Sequence, residues 1–459
     1  EDTSGNGLAP ASVTATVIPA KLMIAATGAN AECTSDDANC SVFKQAGEVF
    51  DLSVTAACND NTVTANFQMN NIPLSVNTVA PTMGNAVVLG VNSVNLIDSD
   101  NGVHTQTNQT ISEVGVFSIT ATPPINGYFG ETIAAATSAS IGRFTPAYFD
   151  LEIVTSGLLN GGNPFVYSGQ MSTAEPTKGQ ISYTTEPEFS ITAKSVSGAT
   201  TLNYTAGFNK LLETGIIRVT PTEDSVQMGA DTTNKLLLTA NLEQPVISEE
   251  NGVTNYTFNT NDDFVYTRDA NALIAPFISK IGFEITSITD NDGITATDTD
   301  TDVTNGVLQL LPFGEEVRFG RWALRSSFGP ETLPVYIPML VEYWDGNAFE
   351  INTMDSVTPF DALNDVSITD ISLAPATTAP SGSGLFAYGQ AKATLSAPGE
   401  NNQGKVQVVK DVPTWLQFDW SNLDGNFDGP YTENPSAIVT FGMYRGNDRV
   451  IQWREIYGN

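Results

Sequence analysis

The chain of 459 residues carries 51 acidic against 19 basic side chains, a formal net charge of −32. Affinity for DNA, RNA and anionic membranes comes mainly from Lys and Arg releasing condensed counterions, so this balance argues against a nucleic-acid partner and against a lipid surface. At roughly 150 residues per domain the length suggests about three domains, and 41% hydrophobic residues suffice for a core in each.

The chain opens Glu1-Asp2-Thr3-Ser4-Gly5, with neither a basic start nor an apolar stretch of signal-peptide length, and reads as a processed or trimmed end. The richest apolar segment, Val13 to Ala26, contains Pro19 and Lys21, so membrane insertion is not expected. Within it Val13 to Ile18 alternates cleanly. It reads either as the first strand of the first domain or as a donor strand that adds to an open sheet edge on an identical subunit.

Cys33 and Cys40 bracket a polar segment, Thr34 to Asn39, suited to a surface loop closed by a disulfide. Three pairings of Cys33, Cys40 and Cys58 are formally open, each leaving one thiol free; Cys58 ends an alternating run and reads as a buried structural thiol. A disulfide implies the periplasm or the cell exterior. Zinc is not expected, because the one histidine, His104, lies far off and no second cysteine pair exists.

Short alternating runs rich in Val, Ile, Thr, Phe and Tyr, such as Phe50 to Thr55, Phe117 to Thr120 and Phe283 to Thr286, are separated by Asn-Gly, Asp-Gly and Gly-Gly turns. This pattern predicts an all-β protein, with tandem antiparallel β-sandwich (Ig-like) domains in series. Residues 49–67 align without gaps on 186–204: Ser53, Thr55, Ala56, Thr64 and Asn66 recur as Ser190, Thr192, Ala193, Thr201 and Asn203, and Phe67 becomes Tyr204. Boundaries are placed at Pro146, where the chain can be held extended, and near Asn305-Gly306. The expected domains are therefore 1–145 with the cysteine loop, 146–306 with an acidic loop, and 307–459.

In the last of these, Val317 to Arg325 breaks alternation, and a bulge at Gly320 would restore one apolar face. Leu333 to Tyr343 contains Pro334 and Pro338 and predicts an edge strand, which Asp345-Gly346 turns into Phe349-Glu350-Ile351. Ile438 to Tyr444 and Val450 to Tyr457 predict a second hairpin.

Arg318-Phe319-Gly320-Arg321, Glu342-Tyr343-Trp344-Asp345-Gly346, Asn352-Thr353 with Asp355-Ser356, and Phe441-Gly442 through Tyr444-Arg445-Gly446-Asn447-Asp448-Arg449 to Trp453-Arg454-Glu455 resemble the MshQ C-terminal-region family of MSHA type IV pilus biogenesis proteins. Gly142-Arg143-Phe144 belongs to the same resemblance, which covers most of the chain. The chain departs from it at Val357, where the family often has cysteine, and shows no lectin-like N-terminal domain. The resemblance implies an exported, pilus-associated or cell-surface protein of a Gram-negative bacterium, acting in adhesion. It implies no catalytic residues.

No motif with an enzymatic mechanism is found, and His104 reads as an exposed loop residue, so no enzyme is expected. Calcium is the favoured ligand. Asp298, Asp300 and Asp302 share one face of an extended segment and repel one another unless a cation sits on them; Asp290 and Asp292 lie just upstream. The alternative is a solvated acidic loop. Asp98 with Asp100, Asp262 with Asp263, and Asp424 with Asp428 are lesser candidates.

Six of the nine arginines, Arg318, Arg321, Arg325, Arg445, Arg449 and Arg454, are interleaved with Phe319, Trp322, Tyr444 and Trp453. They read first as ties within two hairpins, with Asp448 and Glu455 as local partners. The other reading is a docking surface, formed by Arg318, Arg321, Trp322, Arg445, Arg449 and Trp453, for pilus or filament subunits. The expected function is adhesion to an unidentified surface receptor; the alternative is a filament subunit assembled by strand addition between identical copies.

Overall fold

The computed structural model describes residues 17–159, 165–170, 181–211, 222–223, 238–285, 288–295, 303–304, 307–310, 313–374, 377–421 and 429–442. Strands dominate it, and the single α-helix among the described residues is the four-residue Ala362–Asp365. The chain is an all-β series of sandwiches, as its alternation dictates: Phe50–Ala57 buries Phe50, Leu52, Val54 and Ala56, and Gly404–Lys410 buries every second residue.

In the first sandwich a sheet of Lys21–Thr27, Phe50–Ala57 and Val103–Gln109 faces one built from Val42–Gln45, Ile141–Thr145, Gly115–Ala121, Met69–Ala80 and Ser93–Leu96. Their inner faces share a core of Leu52, Val54, Ile72, Phe117, Ile119 and Phe144. The second begins with Tyr148–Thr155, Glu188–Lys194, Val253–Thr257 and Val246–Glu250 and closes with Phe277–Ile285 and Phe313–Arg318. The third packs Gly320–Leu324, Val335–Trp344 and Gln390–Leu395 against Ser436–Phe441, Gly404–Lys410 and Val366–Asp370.

One closing device recurs in all three. A short early strand runs parallel to the last strand: Val42–Gln45 to Ile141–Thr145, Phe165–Tyr167 to Phe313–Arg318, and Ser327–Gly329 to Ser436–Phe441. In the first two sandwiches the last strand ends where the next sandwich begins, which brings its terminal residues to a junction.

The internal repeat is present in the backbone as well. Thr64 N–H donates to Ala56 O at 2.9 Å and Thr201 N–H to Ala193 O at 2.8 Å; Ala56 and Ala193 N–H donate to Gly102 O and Gly252 O, both at 2.9 Å. Those glycines sit at φ +80° and +78°, and a Cβ on either would strike the carbonyl oxygen of Thr64 or Thr201, at 2.5 and 2.1 Å. Glycine is required there by both conformation and space.

Several sequence expectations need correction. Val335–Trp344 is an inner strand, paired to Gly320–Leu324 on one side and Gln390–Leu395 on the other. Pro338 is tolerated because its carbonyl accepts Arg325 N–H at 3.0 Å just beyond the end of Gly320–Leu324, so its missing N–H faces a partner strand that has already finished. The expected bulge at Gly320 is a break at Phe319 instead: Phe313–Arg318 belongs to the second sandwich and Gly320–Leu324 to the third. A Cβ at Gly320 would meet the Tyr167 ring at 2.5 Å, so the chain can cross there only with glycine. His104 lies on Val103–Gln109, half-buried, with Nδ1 3.2 Å from Asp100. Cys58 is free and half-buried. Val17 and Ile18 are exposed and outside any strand, and Val13 to Thr16 lie outside the described residues.

Candidate functional site

The chemistry of this chain concentrates at the two junctions. At the first, Ile141–Thr145 is buried along its whole length, which carries Arg143 into the interior. Its Nη1 and Nη2 donate to the two oxygens of Asp292 at 2.6 Å each, and Nε donates to Cys40 O at 2.7 Å. Both Arg143 and Asp292 are largely withdrawn from water, with side chains 7% and 11% exposed. A planar fork on a carboxylate is the strongest geometry such a pair can adopt.

Cys33 and Cys40 are joined, with Cα atoms 5.5 Å apart. Inside the loop, Ser35 Oγ and Asn39 N–H donate to Asp37, and with Ser35 foremost they hold its carboxyl below the ordinary range. Cys33 is buried in one cluster with Tyr204, Phe208 and Leu211 of the second sandwich. The disulfide loop is thus a wedge between the sandwiches, and Arg143 holds its rim.

Asp290 Oδ1 accepts the N–H groups of Asp292 and Ile294, and Oδ2 accepts Tyr204 OH at 2.8 Å. Burial pushes the Asp290 carboxyl up against the pull of those donors, and burial with the nearby Asp290 charge pushes the Tyr204 phenol up. Glu113 accepts Leu202 and Asn203 N–H at 3.2 and 3.1 Å, and burial raises its carboxyl too. Asn203 Oδ1 in turn accepts Asn85 N–H at 2.6 Å.

The second junction repeats the plan. Arg318, at the end of its last strand, donates to Asn352 Oδ1 at 2.6 Å and to Glu316 at 2.8 Å, and lies over the rings of Tyr343 and Phe165. Tyr167 OH donates to Asp355 at 2.9 Å and accepts Asn352 Nδ2 at 2.7 Å. Asp355 also accepts Thr358 Oγ1 at 2.6 Å. Arg268 reaches across with 2.6 and 2.9 Å bonds to the carbonyls of Trp415 and Gln417, its guanidinium 3.7 Å from the Phe319 ring centre. Burial pulls Arg268 below the ordinary arginine range.

Arg321 pairs with Glu342 through Nε and Nη2, at 2.8 and 2.7 Å, and lies 3.5 Å over Phe349. Arg325 takes the other oxygen of Glu342 at 2.7 Å. Trp322 is 1% exposed.

These positions correct the docking-surface expectation for Arg318, Arg321 and Trp322 in favour of the first reading, that of ties: Arg318 and Trp322 are buried, Arg321 is half-buried, and both arginines are paired. Arg445, Arg449 and Trp453 lie outside the described residues, as do Asp298, Asp300, Asp302, Asp424 and Asp428. Asp290 and Asp292, expected as cation ligands, give their oxygens to Tyr204, to backbone N–H groups and to Arg143, whose charge disfavours a cation beside it. Among the described residues no group of acids, histidines and cysteines is arranged to hold a metal.

Glu113, Arg268 and Tyr167 carry the junctions and were not singled out by sequence. The one available signal was the repeat, where Asn203 and Tyr204 match Asn66 and Phe67; the partners, Glu113 and Asp290, are 90 and 86 residues from them.

Three models of one family match the chain in succession: DUF6701, second domain, over residues 18–109; DUF6701, third domain, over 113–310; and DUF6701, fourth domain, over 318–456. No curated protein matches it. Among solved structures the chain is similar to the Escherichia coli adhesin FdeC, at 12% identity over 93% of this chain and 100% of that one, TM-score 0.34. It is similar to invasin, a bacterial integrin-binding protein, at 12% identity over 85% of this chain and 57% of that one, TM-score 0.25. A titin I-band fragment follows at 8% identity, 87% and 94% coverage and TM-score 0.19. Likeness at this level carries no weight for function.

Proposed function

This chain belongs to the DUF6701 family, and on that premise we propose that it is a cell-surface β-sandwich protein that acts in adhesion, exported and associated with a pilus of the MSHA type. The observation that carries the reading is the pair of buried junctions. Sandwiches tied by Arg143–Asp292, Glu113 and the disulfide wedge at one joint, and by Arg318, Tyr167 and Arg268 at the next, resist bending. A stiff series suits a stalk that holds a binding surface away from the cell.

The disulfide supports an oxidising compartment. The MSHA association rests on the sequence blocks around Arg318, Glu342 and Arg445. The proposed partners are pilus subunits and a surface receptor. Charge argues against nucleic acid, and no helix among the described residues is long and apolar enough to cross a membrane. No enzymatic activity is proposed.

Immunogold electron microscopy of intact cells, with antibody to residues 307–459, tests the reading alongside attachment of a deletion strain. Label on pilus tips or the cell surface, with reduced attachment in the deletion, is the expected result. Label confined to the cell interior would overturn surface display, and label at regular intervals along a filament would favour the strand-adding subunit instead.

A further inference from the structure

Every parallel pairing among the described strands joins an early strand of a sandwich to the last strand of the same sandwich. The three sandwiches differ in strand number and loop length, yet each keeps this contact. Its direction decides how the fold answers a pull along the chain.

The chain enters and leaves each sandwich at opposite ends. In the first, Lys21 pairs with Ala57 at one end, whereas Gln45 and Thr145 lie side by side at the other, against the second sandwich. In the second, Tyr148 pairs with Lys194, two residues before Val196, whose N–H donates to Ala46 O across the first junction at 2.9 Å. Tyr167 and Arg318 lie side by side at the second junction. In the third, Gly320 stands at that junction against Tyr167, while Gly329 pairs with Phe441 and abuts Val335 at the far end of the strand that meets Gly320.

Tension therefore draws the early strand back toward the entry and the last strand on toward the exit. Because the two run parallel, they must slide along their length, and every ladder hydrogen bond bears load at once. An antiparallel pair drawn apart from one end opens bond by bond instead. One further bond extends each parallel pair: Ala46 N–H to Thr145 O at 2.8 Å, Ser168 N–H to Arg318 O at 2.9 Å, and Gly442 N–H to Gly329 O at 2.9 Å.

The disulfide feeds the first of these pairs. Gly142 N–H donates to Ala31 O at 2.8 Å and Cys33 N–H to Ser140 O at 2.9 Å, so Ala31 to Cys33 runs antiparallel to the start of the last strand. Tension that has peeled this segment reaches Cys33 and crosses to Cys40 through the S–S bond. Thr34 to Asn39 stay out of the load path, and the pull arrives at Val42–Gln45 with its parallel pairing intact.

We propose that the parallel pairs are load-bearing, and that this protein transmits tension along its length, each sandwich holding until its pair shears. The property belongs to each sandwich by itself, and it holds whether or not the protein acts in adhesion.

Stretching the full 459-residue chain in an optical trap, held by tags at its two ends, tests it. The wild type is expected to lengthen in abrupt steps, one per sandwich. The step that grows by about 20 Å under a reducing agent is that of the first, because seven residue spacings of ~3.6 Å replace the 5.5 Å between the Cα atoms of Cys33 and Cys40. Forced rupture follows the unfolding barrier and not the equilibrium stability. Ala46→Pro, which deletes the N–H bonded to Thr145, is thus expected to lower the rupture force of that step. Ile72→Ala, which hollows the core away from the pair, is expected to lower the melting temperature at least as much and the force less. In case Ala46→Pro unfolds, Ser168→Pro repeats the test in the second sandwich, with Ile191→Ala as its core comparison, on a step that reduction leaves unchanged. Forces that fall in proportion to the melting temperature wherever the change is made would overturn the proposal. So would a wild type that lengthens gradually, strand by strand, without abrupt steps.

Discussion

Arg143 and Asp292 stand 149 residues apart in the chain and meet through two parallel 2.6 Å hydrogen bonds across the first junction. The arginine ends one sandwich, the aspartate sits in a loop of the next, and the same guanidinium holds the carbonyl of Cys40. One side chain therefore couples the disulfide loop, the last strand of one sandwich and the receiving loop of another.

Breaking that pair on one side leaves the other charge buried and unpaired, which costs about 3–5 kcal/mol. Arg143→Ala is expected to lower the calorimetric transition of the first two sandwiches accordingly, and the double variant Arg143→Met with Asp292→Leu to recover most of the loss. Calorimetry is the suitable readout, since the five tryptophans all lie between residues 322 and 453. Equal losses in the single and double variants would show that the pair is not what the junction depends on.

Glu113 and Asp290 make the junction pH-sensitive. Burial raises both carboxyls above their ordinary range, so in the folded chain they bind protons more readily than in the unfolded one. Their contribution is then fully present below the ordinary carboxylate pKa and is lost as pH rises through the raised values. Relative to Glu113→Gln with Asp290→Asn, the wild type is expected to lose melting temperature as pH climbs through that window. A difference that stays constant with pH would contradict this.

Closing the short loop between Cys33 and Cys40 contributes roughly 2–3 kcal/mol in the chain-entropy model. Because Cys33 is packed in the core of the second sandwich, Cys33→Ser with Cys40→Ser is expected to do more than lower the melting temperature. Limited proteolysis near Pro146 and Ala147 should accelerate as the wedge loosens. Unchanged cleavage there, with only the thermal loss, would confine the disulfide to the first sandwich.

With Asp290 and Asp292 committed to protein donors, the calcium expectation falls to Asp298, Asp300 and Asp302. Calorimetric titration with calcium is expected to give a binding heat that Asp292→Asn retains and that Asp298→Asn with Asp300→Asn and Asp302→Asn abolishes. Loss of the heat in Asp292→Asn would return the site to the junction.

Alternation and turn residues by themselves determined the all-β class and the serial sandwiches, because side-chain direction in a strand depends only on the next residue and needs no distant partner. The repeat was legible for the same reason: Ala56 and Ala193, Thr64 and Thr201 make local bonds that recur with their sequence. Pairings of long separation were not. Whether Pro338 sits at an edge depends on where Gly320–Leu324 ends, and whether Arg318, Arg321 and Trp322 are surface or interior depends on Phe165, Glu342 and Phe386 arriving beside them. An arginine reads as a solvated charge until the fold supplies a carboxylate or a ring within a few ångströms. Here the tertiary structure supplied them at and beside the second joint, and so decided between the two readings of these arginines, for ties and against a docking face.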